Sequence, residues 1–368
     1  MCVQYINEGE ILLKKIRYKI ENYVYNKKYG KDINLEDFKI KENLFSGRKL
    51  NIIYLTYYDS TFSINNTVKP LEDIGNVFKF EMTRIPHEKD WYAKKDLINN
   101  NMVSFVQNII ANNKIDVIVC YLSGHSSSPK IIEKLKSFNI PMINEALDDE
   151  RKFRNKIGKD GLRKGNKDVC KYFDLSLTTS KSAIVKYLVE GGKPIYKDYA
   201  GNEKIYKKMN ITKEYDVGFV GASYGIRTEY VKYLEKNGVS VYAKGSGWKN
   251  GFADDDEMIE IFCKSKIVLG FSTVGKNDDI YILKGRDFEV PLTGSFYITG
   301  YHGELKEYFD IEKDIETYKS KEELLEKIQY YLKNEEEREK IAECGYEKCL
   351  NNYTAKKAYE KVFGYLGL

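Results

Sequence analysis

Histidine and paired cysteines are scarce in this chain, which has three histidines in 368 residues and no Cys-x-x-Cys pair. A zinc site would therefore have few ligands to draw on, and we expect no metal. The scattered cysteines are Cys2, Cys120, Cys170, Cys263, Cys344 and Cys349. Their spacing is typical of buried or surface thiols in a reducing compartment rather than of a disulfide framework.

Long apolar runs and a strong excess of one charge are also missing. No stretch approaches the ~18 uncharged apolar residues that a membrane span needs. The first residues lack the basic-then-apolar pattern of a secretion signal. The net charge of +5 is small for this length, which argues against a nucleic-acid partner. These features predict a cytoplasmic globular protein.

Short apolar strands alternate with helices along most of the chain, which predicts doubly wound parallel sheets. The clearest buried strands lie at 50–58 and 115–122. A length of 368 residues suggests about two domains. We expect an N-terminal Rossmann-like domain at 1–205 and a second at 206–351, with a helix at about 352–368 returning to the first.

The N-terminal extension, residues 4–28, is predicted to be an amphipathic helix. Leu13, Ile16, Ile20 and Val24 recur at helical spacing with lysines and arginine between them. The favoured interpretation is a helix packed on the first domain, because its charged face also carries acids. A basic helix that makes peripheral contact with a membrane surface is the alternative.

Residues 284–303 carry the most informative chemistry. Lys284 and Arg286 precede Glu289 by five and three residues, at the start of a short helix that leads through a glycine turn into an apolar strand. Cations and helix-start amides can hold a diphosphate. A carboxylate just inside the helix can accept hydrogen bonds from two sugar hydroxyls. The segment therefore predicts a nucleotide-sugar site.

The same segment resembles the donor-binding region of group 1 glycosyltransferases, most closely the CgeB-like branch related to spore maturation protein B. Those proteins carry an Arg-x-Phe-Glu sequence and a small-residue turn, matched here by Arg286-Asp-Phe-Glu289 and Gly294. The resemblance covers roughly Asp216 to Tyr359. It implies a GT-B fold, in which two Rossmann-like domains face each other across a cleft, with the donor on the C-terminal side and the acceptor on the N-terminal side.

The resemblance also implies an activity. The expected enzyme is a hexosyltransferase that uses a nucleotide-diphosphate sugar, by default linked to UDP, with no metal or other cofactor. Its acceptor would be a protein or a glycan, plausibly at the cell surface. Lys284 and Arg286 would stabilise the leaving diphosphate, and Glu289 would accept from the ribose. Family members carry a second glutamate eight residues earlier, where this chain has Tyr281, so the stereochemical outcome stays open.

The loop after the first strand of the second domain is a further candidate for the phosphates. Gly221 and Ser223 would let the backbone approach an anion at the start of a helix, and Arg227 would reach the same anion. The loop also matches the family's Phe-x-Gly…Arg pattern. A tight strand-to-helix turn without a ligand is the alternative.

Two further segments hold donor-side candidates. Lys244 and Gly245 follow the next strand, where glycines permit close approach to a nucleotide, although a flexible loop with a packed Trp248 is an equal alternative. Thr299 and His302 end the donor strand, and His302 is placed to touch the sugar or a phosphate.

The first domain supplies two candidate catalytic groups. His125 follows a strong strand. The resemblance implies that it contacts the donor sugar, while a general base and a surface histidine are the alternatives. Asp149, with Asp148 beside it, would serve the acceptor hydroxyl as a base or would cap a helix. The acidic run Asp254–Asp256 is interpreted as helix capping rather than as a metal site.

Two rival functions remain. A nucleotide-sugar epimerase or hydrolase of the same fold would need extra acids in its cleft. A catalytically silent nucleotide-binding scaffold is favoured by Tyr281 in place of a glutamate, whereas Lys284, Arg286 and Glu289 argue against it.

Overall fold

The computed structural model describes residues 8–58, 60, 63–82, 88–274 and 277–368. The chain divides into two compact units. The first comprises Leu12–Asp198 and Lys356–Leu368, and the second contains Tyr199–Ala355. The sequence places the two joints after residues 205 and 351, whereas the structure divides the chain after residues 198 and 355.

The first unit is built on one parallel six-stranded sheet in the order β2-β1-β3-β4-β5-β6. Its strands are β1 Leu50–Thr56, β2 Gly75–Glu81, β3 Val117–Tyr121, β4 Met142–Ala146, β5 Leu175–Thr178 and β6 Pro194–Tyr196. Its α-helices are α1 Glu8–Tyr29, α2 Lys69–Ile74, α3 Glu88–Asn112, α4 Pro129–Lys136, α5 Asp149–Lys152, α6 Ile184–Val189 and α12 Ala355–Tyr365.

Both faces of this sheet are buried. Successive side chains of a strand point to opposite sides of the sheet, so one strand contributes to the core on each side. Ile53 and Leu55 of β1 pack in one apolar cluster with residues of α3 and α4. Ile52 and Tyr54 of the same strand pack in another, with residues of α2 and α12. A strand covered on both faces is a near-continuous apolar run, which is why β1 is recognisable from sequence.

The terminal helix α12 completes the second of these clusters. Tyr359, Val362 and Phe363 are buried in it. The Tyr359 hydroxyl donates to the Glu145 carboxylate at 2.6 Å and to Thr67 at 3.1 Å.

The second unit carries a parallel five-stranded sheet in the order β13-β12-β9-β7-β8. Its strands are β7 Tyr215–Val220, β8 Val241–Lys244, β9 Ser265–Leu269, β12 Tyr297–Gly300 and β13 Glu316–Tyr318, with an antiparallel pair, β10 Thr273–Val274 and β11 Asn277–Tyr281, that the sequence did not predict. Its helices are α7 Ile226–Lys236, α8 Asp255–Lys264, α9 Arg286–Leu292, α10 Lys321–Lys333 and α11 Glu335–Asn352.

The acidic run before α8 caps that helix, as predicted. The Asp254 carboxylate accepts from the backbone N–H of Glu257 at 2.8 Å, and the acids that follow lie in the first turn. Their negative charges are favourable beside the exposed amides of a helix N-terminus.

Helix α1 packs on the first unit, as the favoured interpretation expected. Among its described side chains Tyr25 is buried, whereas Ile16, Ile20 and Val24, which the apolar spacing singled out, are exposed. None of the helices described is long and apolar enough to cross a membrane.

Candidate functional site

The candidate donor residues collect at the carboxyl edge of the second sheet. In its order, β8-β7-β9-β12-β13, the chain changes direction between β7 and β9, and ligands of open α/β sheets bind outside the strand ends at such a point. The loops after β7 and β8, the start of α9 and the end of β12 all lie at this edge. The topology therefore brings together segments that are far apart in sequence.

Arg286 and Glu289 form an ion pair at the start of α9. The Glu289 carboxylate is fully buried, while the Arg286 side chain is 35% exposed and lies over the Phe262 ring. Burial alone would lower the pKa of Arg286, but the Glu289 charge raises it above its ordinary value. Two residues predicted to have separate roles are thus parts of one charged unit.

Asp287, within the same motif, was missed by the sequence analysis. Its buried carboxyl accepts from the Lys284 backbone N–H at 2.7 Å and from the Tyr297 hydroxyl at 2.9 Å. Burial raises the pKa of Asp287 to about 7. The bond to Lys284 fixes the loop from which the predicted diphosphate-binding lysine projects.

Arg227 is a cation with little to neutralise it. Its guanidinium donates to the Ala222 carbonyl at 3.1 Å and lies 4.3 Å from the centre of the Tyr224 ring. Its Nε is buried with no hydrogen-bond partner, and no ion pair joins it to a carboxylate among the described residues. Burial lowers the pKa of Arg227, and the positive charge of Arg286 lowers it further. The guanidinium groups of Arg227 and Arg286 thus lie close enough to repel each other. An anion bound between them would relieve that repulsion.

The neighbouring loops after β7 and β8 are joined by backbone hydrogen bonds. The Gly221 amide donates to the Lys244 carbonyl at 2.9 Å, and the Ser223 amide donates to the Ser246 carbonyl at 2.8 Å. Gly245 has φ +129°, and a Cβ there would lie 2.4 Å from the Gly221 carbonyl oxygen. These amides were expected to face a phosphate. Instead they join the two loops, which holds the start of α7 and Arg227 in place.

Lys244 and Trp248 also have partners within the protein. The Lys244 ammonium pairs with Glu257, so the structure does not present it as an open phosphate ligand. The Trp248 indole donates to the Gly221 carbonyl at 2.7 Å, which is the packed arrangement weighed as the alternative. Phe252, further along this loop and not singled out from sequence, is 78% exposed.

The end of β12 places its two candidates at different depths. Thr299 is fully buried, with its hydroxyl oxygen 3.3 Å from that of Ser272. The Ser272 hydroxyl in turn donates to the Gly300 carbonyl at 2.7 Å. Direct ligand contact by Thr299 is therefore not supported, whereas His302 lies two residues beyond the strand end and is 9% exposed.

An aromatic pocket of about 200 Å³ opens beside the start of α7. Its lining includes Ile226, Tyr230, Phe271, Ser272, Tyr281 and Tyr318. Flat apolar walls with a few polar groups suit a planar ring or a sugar. Tyr281, the residue that replaces the family's glutamate, therefore lies in the wall of a pocket.

A larger cavity of about 340 Å³ lies at the matching edge of the first sheet. The order β2-β1-β3 places the change of chain direction between β1 and β3, and the cavity is lined by residues that follow β1, β3 and β4. Its lining includes Tyr57, Tyr58, Tyr121, Ser123, Asp149 and Asn166.

Asp149 lines this cavity from the start of α5. Its carboxyl accepts from the Tyr187 hydroxyl at 2.6 Å and from the Asn166 amide at 3.3 Å. Burial raises the pKa of Asp149 to about 7, although these hydrogen bonds oppose the rise. Asp148 instead pairs with Lys152 at 2.6 Å and makes no side-chain capping bond. The two adjacent acids thus differ: Asp149 is buried with a raised pKa, whereas Asp148 is half exposed and paired with a lysine.

His125 lies behind the wall of the cavity rather than in it. Its ring packs 5.0 Å from that of Tyr57, and its Nδ1 is 3.4 Å from the Tyr92 hydroxyl. Tyr57 lines the cavity and His125 does not. A role for His125 is therefore one of supporting Tyr57.

Comparison with known proteins shows which fold this architecture has. Residues 227–364 match a family model described as glycosyl transferase-like. A comparison with curated protein sequences gives no match. Among solved structures, HepE from Anabaena in complex with UDP and glucose superposes with a TM-score of 0.56 at 11% identity, covering 86% of this chain and 99% of that one.

Two further structures have the same architecture. Sucrose-phosphate synthase from Thermosynechococcus elongatus gives a TM-score of 0.59 at 11% identity, covering 87% of this chain and 99% of that one. A Listeria monocytogenes protein assigned as a UDP-N-acetylglucosamine 2-epimerase gives 0.51 at 12%, covering 86% and 95%. The chain therefore has the GT-B fold, which confirms the predicted fold class.

Proposed function

We propose that this protein is a glycosyltransferase that transfers a hexosyl group from a UDP-linked sugar to a hydroxyl acceptor. The observation that carries the proposal is Arg227, a half-buried arginine whose Nε is buried and which has no carboxylate partner in the described residues, within electrostatic reach of Arg286. A partly desolvated cation is stabilised when an anion binds beside it, and a diphosphate supplies that anion. The match to a glycosyl transferase-like family supports the reaction class.

In this proposal, Arg227, Arg286 and Lys284 stabilise the diphosphate as the bond to the sugar breaks, without a metal ion. Because Glu289 is buried and paired, its best-supported role is to aim Arg286. A direct contact between Glu289 and the ribose would require the start of α9 to open. The aromatic pocket beside α7 is the proposed place for a flat part of the donor.

The acceptor is proposed to bind in the cavity of the first unit. Asp149 would take the proton of the acceptor hydroxyl while that oxygen bonds to the anomeric carbon and the nucleoside diphosphate leaves. A pKa of about 7 suits this step, because the carboxylate form is populated at neutral pH and can still hold a proton. Tyr57 and Tyr121 offer flat walls to a sugar ring, which favours a glycan acceptor over a protein.

Two rivals make different predictions. An epimerase, suggested by the Listeria neighbour, would change the sugar of the donor without any acceptor. A silent scaffold, suggested by Tyr281, would bind nucleotide without turnover. We further propose that the enzyme is CgeB-like and acts in the cytoplasm on a cell-surface acceptor, a glycan rather than a protein.

A thermal-shift panel tests the donor site. UDP, GDP, CDP, dTDP and their common sugar conjugates are added to the protein with and without EDTA. A ligand that binds the folded state raises Tm by mass action. We expect a UDP-selective shift that EDTA leaves unchanged and that the variant Arg227→Gln lacks. If none of these nucleotides raises Tm, the proposed donor site is wrong.

Turnover of the selected donor separates the three functions. Mass spectrometry and NMR would follow UDP release, sugar configuration and glycoside formation. UDP release with a new glycoside supports the transferase. A new sugar configuration on intact UDP indicates the epimerase, and binding with neither product indicates the scaffold.

A further inference from the structure

We propose that the outward face of α1 docks on an anionic lipid surface. This face comprises Ile16, Ile20, Tyr23 and Val24, together with the cations beside them. Docking of this face does not depend on the reaction assigned to the two cavities.

One side of α1 is already engaged by the first unit. The Tyr25 hydroxyl donates to Glu190 at 2.8 Å, and its ring meets Phe153 edge-on. Glu21 accepts from the buried ammonium of Lys186 at 3.1 Å. These contacts fix the rotation of the helix about its own axis. The opposite side therefore faces away from the core.

That opposite side is apolar and exposed. Ile16, Ile20, Tyr23 and Val24 are 44%, 56%, 66% and 50% exposed. Their spacing of four, three and one residues places them in one stripe of the helix. Single exposed apolar residues are ordinary, whereas four in a contiguous stripe indicate a binding surface.

The charges beside the stripe identify its partner. Arg17, Lys19, Lys27 and Lys28 are all exposed. Glu21 is the only acid between residues 16 and 29, and it is turned toward Lys186. Between residues 16 and 29, where the structure describes the side chains of α1, the outward face thus combines apolar side chains with four cations and no exposed acid. Helices of this kind lie in the interface of anionic membranes, with apolar groups at the acyl boundary and cations at the headgroups.

A second copy of the chain is the competing occupant of the stripe, and charge argues against it. Two such faces brought together would place eight cations against one another, and like charges at close range repel. A surface of anionic headgroups neutralises the same cations. The observed charges therefore favour a lipid surface.

The test is co-sedimentation of the full chain with vesicles. Vesicles of phosphatidylglycerol and phosphatidylcholine are compared with vesicles of phosphatidylcholine alone, at low and at 0.5 M salt. We expect binding to the anionic vesicles that salt weakens. Substitution of Lys27 and Lys28 by Gln should lower the partition coefficient about fivefold for each cation removed.

The apolar stripe is tested by the double variant Ile16→Glu/Ile20→Glu, which should abolish sedimentation. Its control is Leu97→Glu, which places one added carboxylate, against two in the double variant, on another exposed apolar residue, at 63% exposure, and should bind like the parent. Far-UV circular dichroism confirms that each variant is folded.

Three results would overturn the proposal. The parent protein fails to sediment with anionic vesicles at low salt. The double variant, folded, binds as well as the parent. Analytical ultracentrifugation shows a dimer that the double variant loses, without vesicle binding, in which case a second copy covers the face.

Discussion

The Glu289 carboxylate and the Arg286 guanidinium pair within one turn of α9, the acid fully buried and the base about one-third exposed. The buried acid holds the arginine side chain in one orientation, so that little side-chain entropy remains to be lost when a ligand binds. In the proposed donor site this directs Arg286 toward the diphosphate before the ligand arrives. Electrostatic stabilisation of a leaving group depends on such prior orientation.

Replacement of this acid, Glu289→Gln, should weaken UDP binding about tenfold and lower the free energy of unfolding by ~1–2 kcal/mol, because one charge-assisted hydrogen bond becomes neutral. Isothermal titration calorimetry and urea denaturation measure the two effects. The matched control is Glu316→Gln. Glu316 is also buried and accepts from Lys327 and Tyr331, so its loss should lower stability and leave UDP affinity unchanged. Equal effects of both variants on UDP affinity would contradict the role of Glu289.

Arg227→Gln should reduce UDP affinity about ten- to hundredfold, the range expected when a charge-assisted phosphate contact worth ~1.5–3 kcal/mol is lost. Stability should fall by less than ~1.5 kcal/mol, since the variant loses one hydrogen bond to the Ala222 carbonyl and a ring contact, while the Nε has no hydrogen-bond partner and no ion pair is formed among the described residues. Arg338→Gln provides the contrast, because Arg338 is buried and pairs with Glu335 and Glu339. That variant should lose stability and retain UDP affinity. If Arg227→Gln binds UDP as tightly as the parent protein does, the main argument for the proposed function fails.

The buried carboxyl of Asp149 should give a pH-dependent stability. Its pKa rises from 3.8 to about 7 on folding, because burial disfavours the charged form. Between about pH 4 and 7 the unfolded chain therefore loses this proton while the folded protein keeps it. Stability falls across that window, by on the order of 4 kcal/mol. Relative to the parent, Asp149→Asn should gain stability as pH rises, measured by urea denaturation at each pH.

The Tyr187 hydroxyl lowers the pKa of Asp149 by donating to its carboxylate. The variant Tyr187→Phe should therefore raise the pKa of Asp149 and extend to higher pH the range over which stability falls. In the proposed reaction the pH at which kcat/KM reaches half its maximum would move in the same direction. An unchanged pH profile in this variant would show that Asp149 is not the base.

Gly245→Ala should destabilise the second unit more than Gly238→Ala does. Both glycines have positive φ, but a Cβ at Gly238 meets nothing within 4 Å, whereas one at Gly245 lies 2.4 Å from the Gly221 carbonyl oxygen. The backbone penalty alone is ~1–2 kcal/mol, and the clash adds ~1–3 kcal/mol. Urea denaturation compares the two variants. UDP affinity should fall only for Gly245→Ala, because only that glycine ties the loop that carries Arg227.

The central strands could be predicted from sequence because both faces of each sheet are buried. The predicted strand at 115–122 contains β3, Val117–Tyr121, and the predicted strand at 50–58 contains β1, Leu50–Thr56. A buried parallel strand needs a short apolar run, and such runs are rare elsewhere in a polar chain. The strand pair Thr273–Val274 and Asn277–Tyr281 lacks such a run and was missed.

The site residues were harder to predict, because a side chain's partner is not visible from spacing. Lys244 was predicted to lie in a nucleotide-binding loop, but its charge is met by Glu257 on the following helix. Spacing identified an apolar stripe on α1 and could not show which side of the helix faces the core. Asp287 and Tyr187 gained their roles only from tertiary contacts.

The return of α12 to the first sheet has a consequence for biosynthesis. The core of the first unit includes Tyr359, Val362 and Phe363, which are synthesised after the whole of Tyr199–Ala355 in the second unit. We expect the earlier part of the first unit, Leu12–Asp198, to stay incompletely packed until α12 has been synthesised, while the second unit can form earlier. Pulse proteolysis of stalled chains that end at residue 352 should find the second unit protected and the first still cleavable. Protection of both in such chains would show that the helix is dispensable for folding.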